Sequence, residues 1–242
     1  MNNWNNDYQG GYNTAIQAEN EMTLQRYVAG VMRKVYGKMS LGLLATAITS
    51  FLVLSSETAL SLLFGTPAVM WILFAVEIGL VIYLSARIDK MSTGMSTAMF
   101  YLYSIINGVA LAPIFLIYTG ASIATTFAIT AGTFGIMSIA GYVTKQDLSK
   151  FGSILFMALI GLIVCVIVNL FLHNTMFEML ISIAGVLIFT GLTAWDTQSI
   201  KRMCAEADPS MMGKVATMGA LSLYLDFINL FLYLLRFLGN RN

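Results

Sequence analysis

Seven runs of apolar residues, each about as long as a bilayer is thick, govern what this chain can become. They are Met39–Ser55, Val69–Ala86, Ser96–Tyr118, Ala121–Val143, Phe151–Leu172, Phe177–Ser199 and Gly219–Leu238. Runs of about 17 to 23 residues match a hydrocarbon layer of about 30 Å at a rise of about 1.5 Å per residue. Hydrocarbon offers backbone amides and carbonyls no partners, so each run must be helical. Composition agrees. Of 242 residues 58% are hydrophobic and only 10% charged, against about 25% charged in soluble domains. The expected fold is an all-α polytopic membrane protein with seven transmembrane helices. Residues 21–242 form its helical domain, and the polar, Asn- and Gly-rich residues 1–20 are expected to be a disordered tail.

Lysine and arginine alternate between loops. Arg26, Arg33, Lys34 and Lys38 precede the first run, and Arg87 and Lys90 follow the second. Lys145 and Lys150 follow the fourth run, and Lys201, Arg202 and Lys214 the sixth. The loops after runs one, three and five carry none. Basic loops stay in the cytoplasm, so the N-terminus is expected there. Seven crossings then place the C-terminus outside, where Arg236 and Arg241 run against the rule. A re-entrant or cytoplasmic last segment is the alternative. The stretch Leu24–Gly37 is a basic amphipathic lead-in to the first run. Small residues along the fourth run suit close helix packing, and Pro113 predicts a kink in the third.

Several function classes fall away. Net charge is +1 and no basic stripe marks a nucleic-acid surface. His173 is the single histidine, set in a loop away from the basic side, so histidine catalysis and zinc are not expected. No phosphate-binding loop occurs, and an enzyme is not expected. Cys165 and Cys204 lie at different depths and are not expected to pair. No secretory signal is expected, and short loops without targeting extensions fit a bacterial inner membrane.

Three acids inside apolar runs are the candidate site: Glu77, Asp196 and Asp226. An ionised carboxylate in hydrocarbon costs several kcal/mol, so such residues are rare and mark function. Asp196 and Asp226 fall in the same half of the membrane, where Arg87 also ends its run. Two touching carboxylates do not readily both ionise, so they share a proton and respond to pH. With Asn229 one turn from Asp226, the pair could hold Ca²⁺ weakly. Glu77 lies near mid-membrane, protonated or paired with a cation such as Arg236.

The residues also resemble a known family. Ala220-Leu-Ser-Leu-Tyr-Leu-Asp226-Phe-Ile-Asn-Leu-Phe231, then Leu235-Arg236-Phe237, is similar to the last-helix signature of the Bax inhibitor family, the transmembrane Bax-inhibitor-motif proteins. Arg33-Lys-Val-Tyr-Gly-Lys-Met-Ser-Leu-Gly-Leu43 resembles that family's entry to its first span. Phe189-Thr-Gly-Leu-Thr-Ala-Trp-Asp196-Thr-Gln-Ser-Ile-Lys201 resembles its sixth. The resemblance covers roughly residues 25 to 240. It implies six helices around a central C-terminal one, and a pH-sensitive Ca²⁺ leak controlled by an aspartate pair. Carried over by motif position, the pair is Asp196 and Asp226, with Arg87 holding it in the closed state. Glu77 and Arg236 would form a second ionic contact. The resemblance thus implies a calcium channel of the lipid bilayer with no cofactor. Two rival readings are a non-conducting regulator of protein quality control or cell-death partners, docking through Leu24–Gly37 and the tail, and a proton-coupled transporter of a small solute.

Overall fold

In the computed structural model the backbone is described for residues 4–242, and side chains from Glu21 onward except those of Phe64, Pro67 and Asp89. The expected disordered tail, residues 1–20, lies outside the residues described in full. Helix α1 spans Trp4–Leu54, followed by the short α2 (Glu57–Gly65) and by α3 (Pro67–Arg87). The third crossing is α4 (Thr93–Leu111) with the one-turn α5 (Ile114–Ile117); the break between them sits at Pro113, as its missing N–H requires. Then come α6 (Gly120–Val143), α7 (Ser149–Leu172), α8 (Thr175–Glu206) and α9 (Met212–Leu238). Among the described residues seven helices are long and apolar enough to cross a membrane. Side-chain caps start several of them: Ser92 accepts from the Met95 amide, Thr119 from Ser122 and Asn174 from Phe177.

Burial separates one helix from the rest. Two-thirds (67%) of the apolar stretch of α9 is buried, against 6% for α7. Helix α9 packs against α8, α1, α6 and α4, which makes it the axis of the bundle. Its Tyr224 is fully enclosed and meets Phe100 and Tyr103 edge-on, at centroid distances of 5.7 and 5.8 Å. Glycines set the closest approaches. A Cβ on Gly141 of α6 would collide with the Ala194 backbone of α8.

The amphipathic stretch Leu24–Gly37 is the first part of the first crossing. Its Val28, Val31, Met32 and Val35 are buried in the core together with Met39. That apolar side packs inside the protein, while Leu24, Arg26, Tyr27, Arg33 and Lys34 of the same stretch are exposed. Cys204 lies within α8 and is buried, rather than in a loop, and it and Cys165 are both free.

Loop contacts define two faces. The turn between α6 and α7 docks on the far end of α8: the Leu148 amide donates to Gln198 (2.8 Å), and Lys201 donates to the Tyr142 carbonyl (2.7 Å). On the opposite face, the Thr119 amide donates to the Asn240 carbonyl (3.1 Å) and the Asn242 amide to that of Ile117 (2.9 Å). The chain end therefore lies beside the start of α6. Helix α9 is long and apolar enough to cross, and its end lies on the face opposite the turn between α6 and α7. Arg236 and Arg241 are tolerated there because both face Glu178, at 3.5 and 3.7 Å.

Candidate functional site

Asp196 and Asp226 meet. Their carboxyl groups approach each other across the α8–α9 contact, close enough to interact. Asp226 is 4% exposed, and its Oδ2 has no hydrogen-bond partner. Both residues lie well inside their helices. Helix α8 continues ten residues past Asp196 to Glu206, about 15 Å by helical rise. Helix α9 begins at Met212, fourteen residues or about 21 Å before Asp226.

Arg87 is placed elsewhere. It ends α3, is exposed, and makes no ion pair with either aspartate among the described residues. Nor do Glu77 and Arg236 pair. Arg236 faces Glu178, while Glu77 accepts a hydrogen bond from Asn107 Nδ2 at 2.9 Å. The physical reason is local: Glu77 is 8% exposed and has a neutral donor within reach, whereas Arg236 is exposed near another carboxylate. Glu77 and Arg236 nevertheless line one cavity of about 860 Å³, together with Asn107, Asn229, Glu178 and Arg241.

A polar network that the apolar runs hid connects this cavity to the bundle axis. The Tyr224 hydroxyl donates to Asn107 Oδ1 (2.9 Å) and lies 2.6 Å from Thr46 Oγ1. The Thr46 hydroxyl, with one proton to give, also lies within hydrogen-bond distance of the Gly42 and Ser104 carbonyls (3.0 and 2.9 Å). Four helices, α1, α4, α9 and α3, thereby share one chain of hydrogen bonds. The signal for Asn107 is an amide in the middle of the third run. Glu178 was missed because it lies at the very edge of the sixth run. Three or more His, Cys, Asp or Glu side chains do not converge anywhere among the described residues. The aspartate pair is thus a two-carboxylate site, not a cage.

Comparison with known proteins decides the family. A family model described as "Inhibitor of apoptosis-promoting Bax1" matches residues 28–242. The chain belongs to the Bax inhibitor family. Among its relatives is the inner membrane protein YbhL of Escherichia coli K12, 48% identical over 221 residues, covering 90% of this chain and 93% of YbhL. An uncharacterized protein of Borreliella burgdorferi is 46% identical over 212 residues, covering 87% and 91%. The uncharacterized protein RP147 of Rickettsia prowazekii is 44% identical over 219 residues, covering 90% and 91%. These Bax inhibitor family relatives are bacterial, and the match includes the whole of α3 to α9.

Proposed function

We propose that this Bax inhibitor family member is a pH-sensitive Ca²⁺ leak channel of the bacterial inner membrane, with its N-terminus in the cytoplasm. The observation that carries the reading is the meeting of Asp196 and Asp226 between α8 and α9, with Asp226 Oδ2 buried and unpartnered. Lone pairs buried inside a membrane-spanning bundle are the groups a passing cation would use in place of water. Two carboxylates and an amide offer fewer oxygens than the about six to eight of a tight Ca²⁺ site. Weak binding suits passage. The cavity lined by Glu77, Asn107 and Asn229 supplies the approach from the face opposite the basic loops.

Helix α3 supplies the moving part. Of the long helices it packs chiefly against α4, and 11% of its apolar stretch is buried. With both aspartates ionised, the pair carries two negative charges and attracts Arg87, closing the basic side. One shared proton halves that charge and releases Arg87. The exposed Arg87, in no ion pair with either aspartate among the described residues, fits the released state.

The test is Ca²⁺ flux from liposomes containing the purified protein, followed against pH. Flux should rise as pH falls, and Asp196→Asn and Asp226→Asn should flatten the profile. If both variants keep wild-type flux and pH dependence, the mechanism fails. Saturable, pH-driven uptake of a small solute without Ca²⁺ flux would instead identify a proton-coupled transporter.

A further inference from the structure

A second cavity, of about 900 Å³, lies between α1 and α6, with Phe227 of α9 as its floor and neither aspartate in its lining. A smaller one of about 460 Å³ continues it, and the two share Leu43, Ala47, Phe127 and Phe227. Together they make a furrow along α1 from Ala29 to Ser50, about 30 Å by helical rise, which is the full thickness of the hydrocarbon layer.

Three observations specify its occupant. The furrow is bounded by two membrane-crossing helices and is almost wholly apolar, so what reaches it is an acyl chain. Its basic end carries a cation: Arg33 lines the mouth and is exposed. Tyr142, at that same end, carries a second, with the Lys201 ammonium 4.7 Å from its ring centre. Finally, Ser138 lines the furrow at 4% exposure, and its Oγ has no partner. A helical serine usually satisfies itself on the carbonyl four residues back. Thr130 on the same helix does so, on Thr126 at 2.8 Å. Ser138 does not, which leaves its hydroxyl for a ligand oxygen.

We propose that the furrow between α1 and α6 is a phospholipid site, holding an acyl chain along Leu43 and Phe127 with an anionic headgroup at Arg33. An ester carbonyl near the glycerol backbone is the group Ser138 would meet. The site is independent of the cation path and stands whether or not the chain conducts Ca²⁺.

The experiment reconstitutes the full chain in phosphatidylcholine vesicles containing a minority of phosphatidylglycerol, extracts it in mild detergent, and counts retained lipid by native mass spectrometry. The wild type should keep one phosphatidylglycerol per chain. Arg33→Gln should retain lipid but lose its preference for phosphatidylglycerol by about fivefold, the worth of one basic residue at an anionic surface. Gly135→Trp and Ala47→Phe should each empty the furrow from opposite walls. Gly132→Trp, one turn away in open space and outside the furrow, should keep the lipid. Two fillers on different helices guard against one that misfolds, and thermal unfolding of each shows which are intact. Retention by both intact fillers, or none in the wild type, overturns the proposal. So does a wild-type dimer that the fillers break, which makes the furrow a contact between copies.

Discussion

Glu77 separates two roles that a carboxylate can play on a moving helix. Among the described residues the hydrogen bond from Asn107 is the side-chain bond that joins α3 to the rest of the bundle. If Glu77 acts by accepting that bond, Glu77→Gln keeps an acceptor in place and behaves as the wild type. Glu77→Leu removes it and frees α3. Hydrogen bonds between membrane helices are worth ~0.6 kcal/mol on average and at most ~1.7 kcal/mol. At about 1.4 kcal/mol per tenfold, the loss of one bond shifts the population of the released state about threefold, and by no more than about 20-fold. The assay is liposome Ca²⁺ flux at fixed pH, run as a double-mutant cycle with Asn107→Leu. The two leucine variants should raise flux alike, and their combination should add little to either. If Glu77→Gln instead matches Glu77→Leu, the charge matters and not the acceptor. The tether argument is then refuted, and an ionic partner such as Arg236 must be engaged in another state.

Two further perturbations probe the scaffold. Gly141→Ala places a methyl group against the Ala194 backbone, which has no rotamer to yield, so α6 and α8 must separate at a cost of about 1–3 kcal/mol. Gly132→Ala meets nothing and should gain slightly through helix propensity. Thermal unfolding in detergent compares them, and equal midpoints would refute the close contact. Asp147, in the exposed turn before α7, accepts from the Ser149 amide (2.9 Å) and hydroxyl (2.6 Å), and these bonds hold its carboxyl below the usual range. Because the folded value is depressed, the turn's stabilisation is complete above the ordinary carboxylate range and is lost as pH falls through the lowered one. Hydrogen exchange at the Ser149 amide should accelerate across that window. Asp147→Asn should abolish the pH dependence, and an unaltered profile would show that the turn does not depend on Asp147.

The crossings were legible because length and apolarity alone specify a helix in lipid, and α3, α6 and α7 begin and end close to their apolar runs. Asp196 and Asp226 were legible because a carboxylate in an apolar run costs too much to be incidental. Their distance from the helix ends was not. Apolar runs end where charge begins, but α8 carries Lys201 and Arg202 onward within the helix, and α9 starts well before Gly219. The pairing of Arg236 and Arg241 with Glu178 was hidden as well. It depends on where α9 ends against the start of α8, which no local pattern encodes. The lead-in at Leu24–Gly37 was read as a surface because its apolar side is followed by basic residues. Val28, Val31, Met32 and Val35 recur at helical spacing and are internal. The joining of Thr46, Asn107 and Tyr224 was hidden for a different reason. Neutral polar groups are tolerated in helices, and only the contact between three of them makes a network.

The central position of α9 has a consequence for how the molecule is made. Ribosomes work from the N-terminus, so the axis is synthesised after the six helices that enclose it. Until it arrives, Asn107 lacks its Tyr224 donor, Lys38 lacks Thr217 (2.6 Å), and Glu178 lacks both arginines. Helices α1 with α4, and α6 and α7 with α8, pack on each other without it, but these polar groups find their partners only when α9 enters. A chain interrupted before Met212 lacks the helix that the others surround, and supplying α9 as a separate segment is the natural way to complete it.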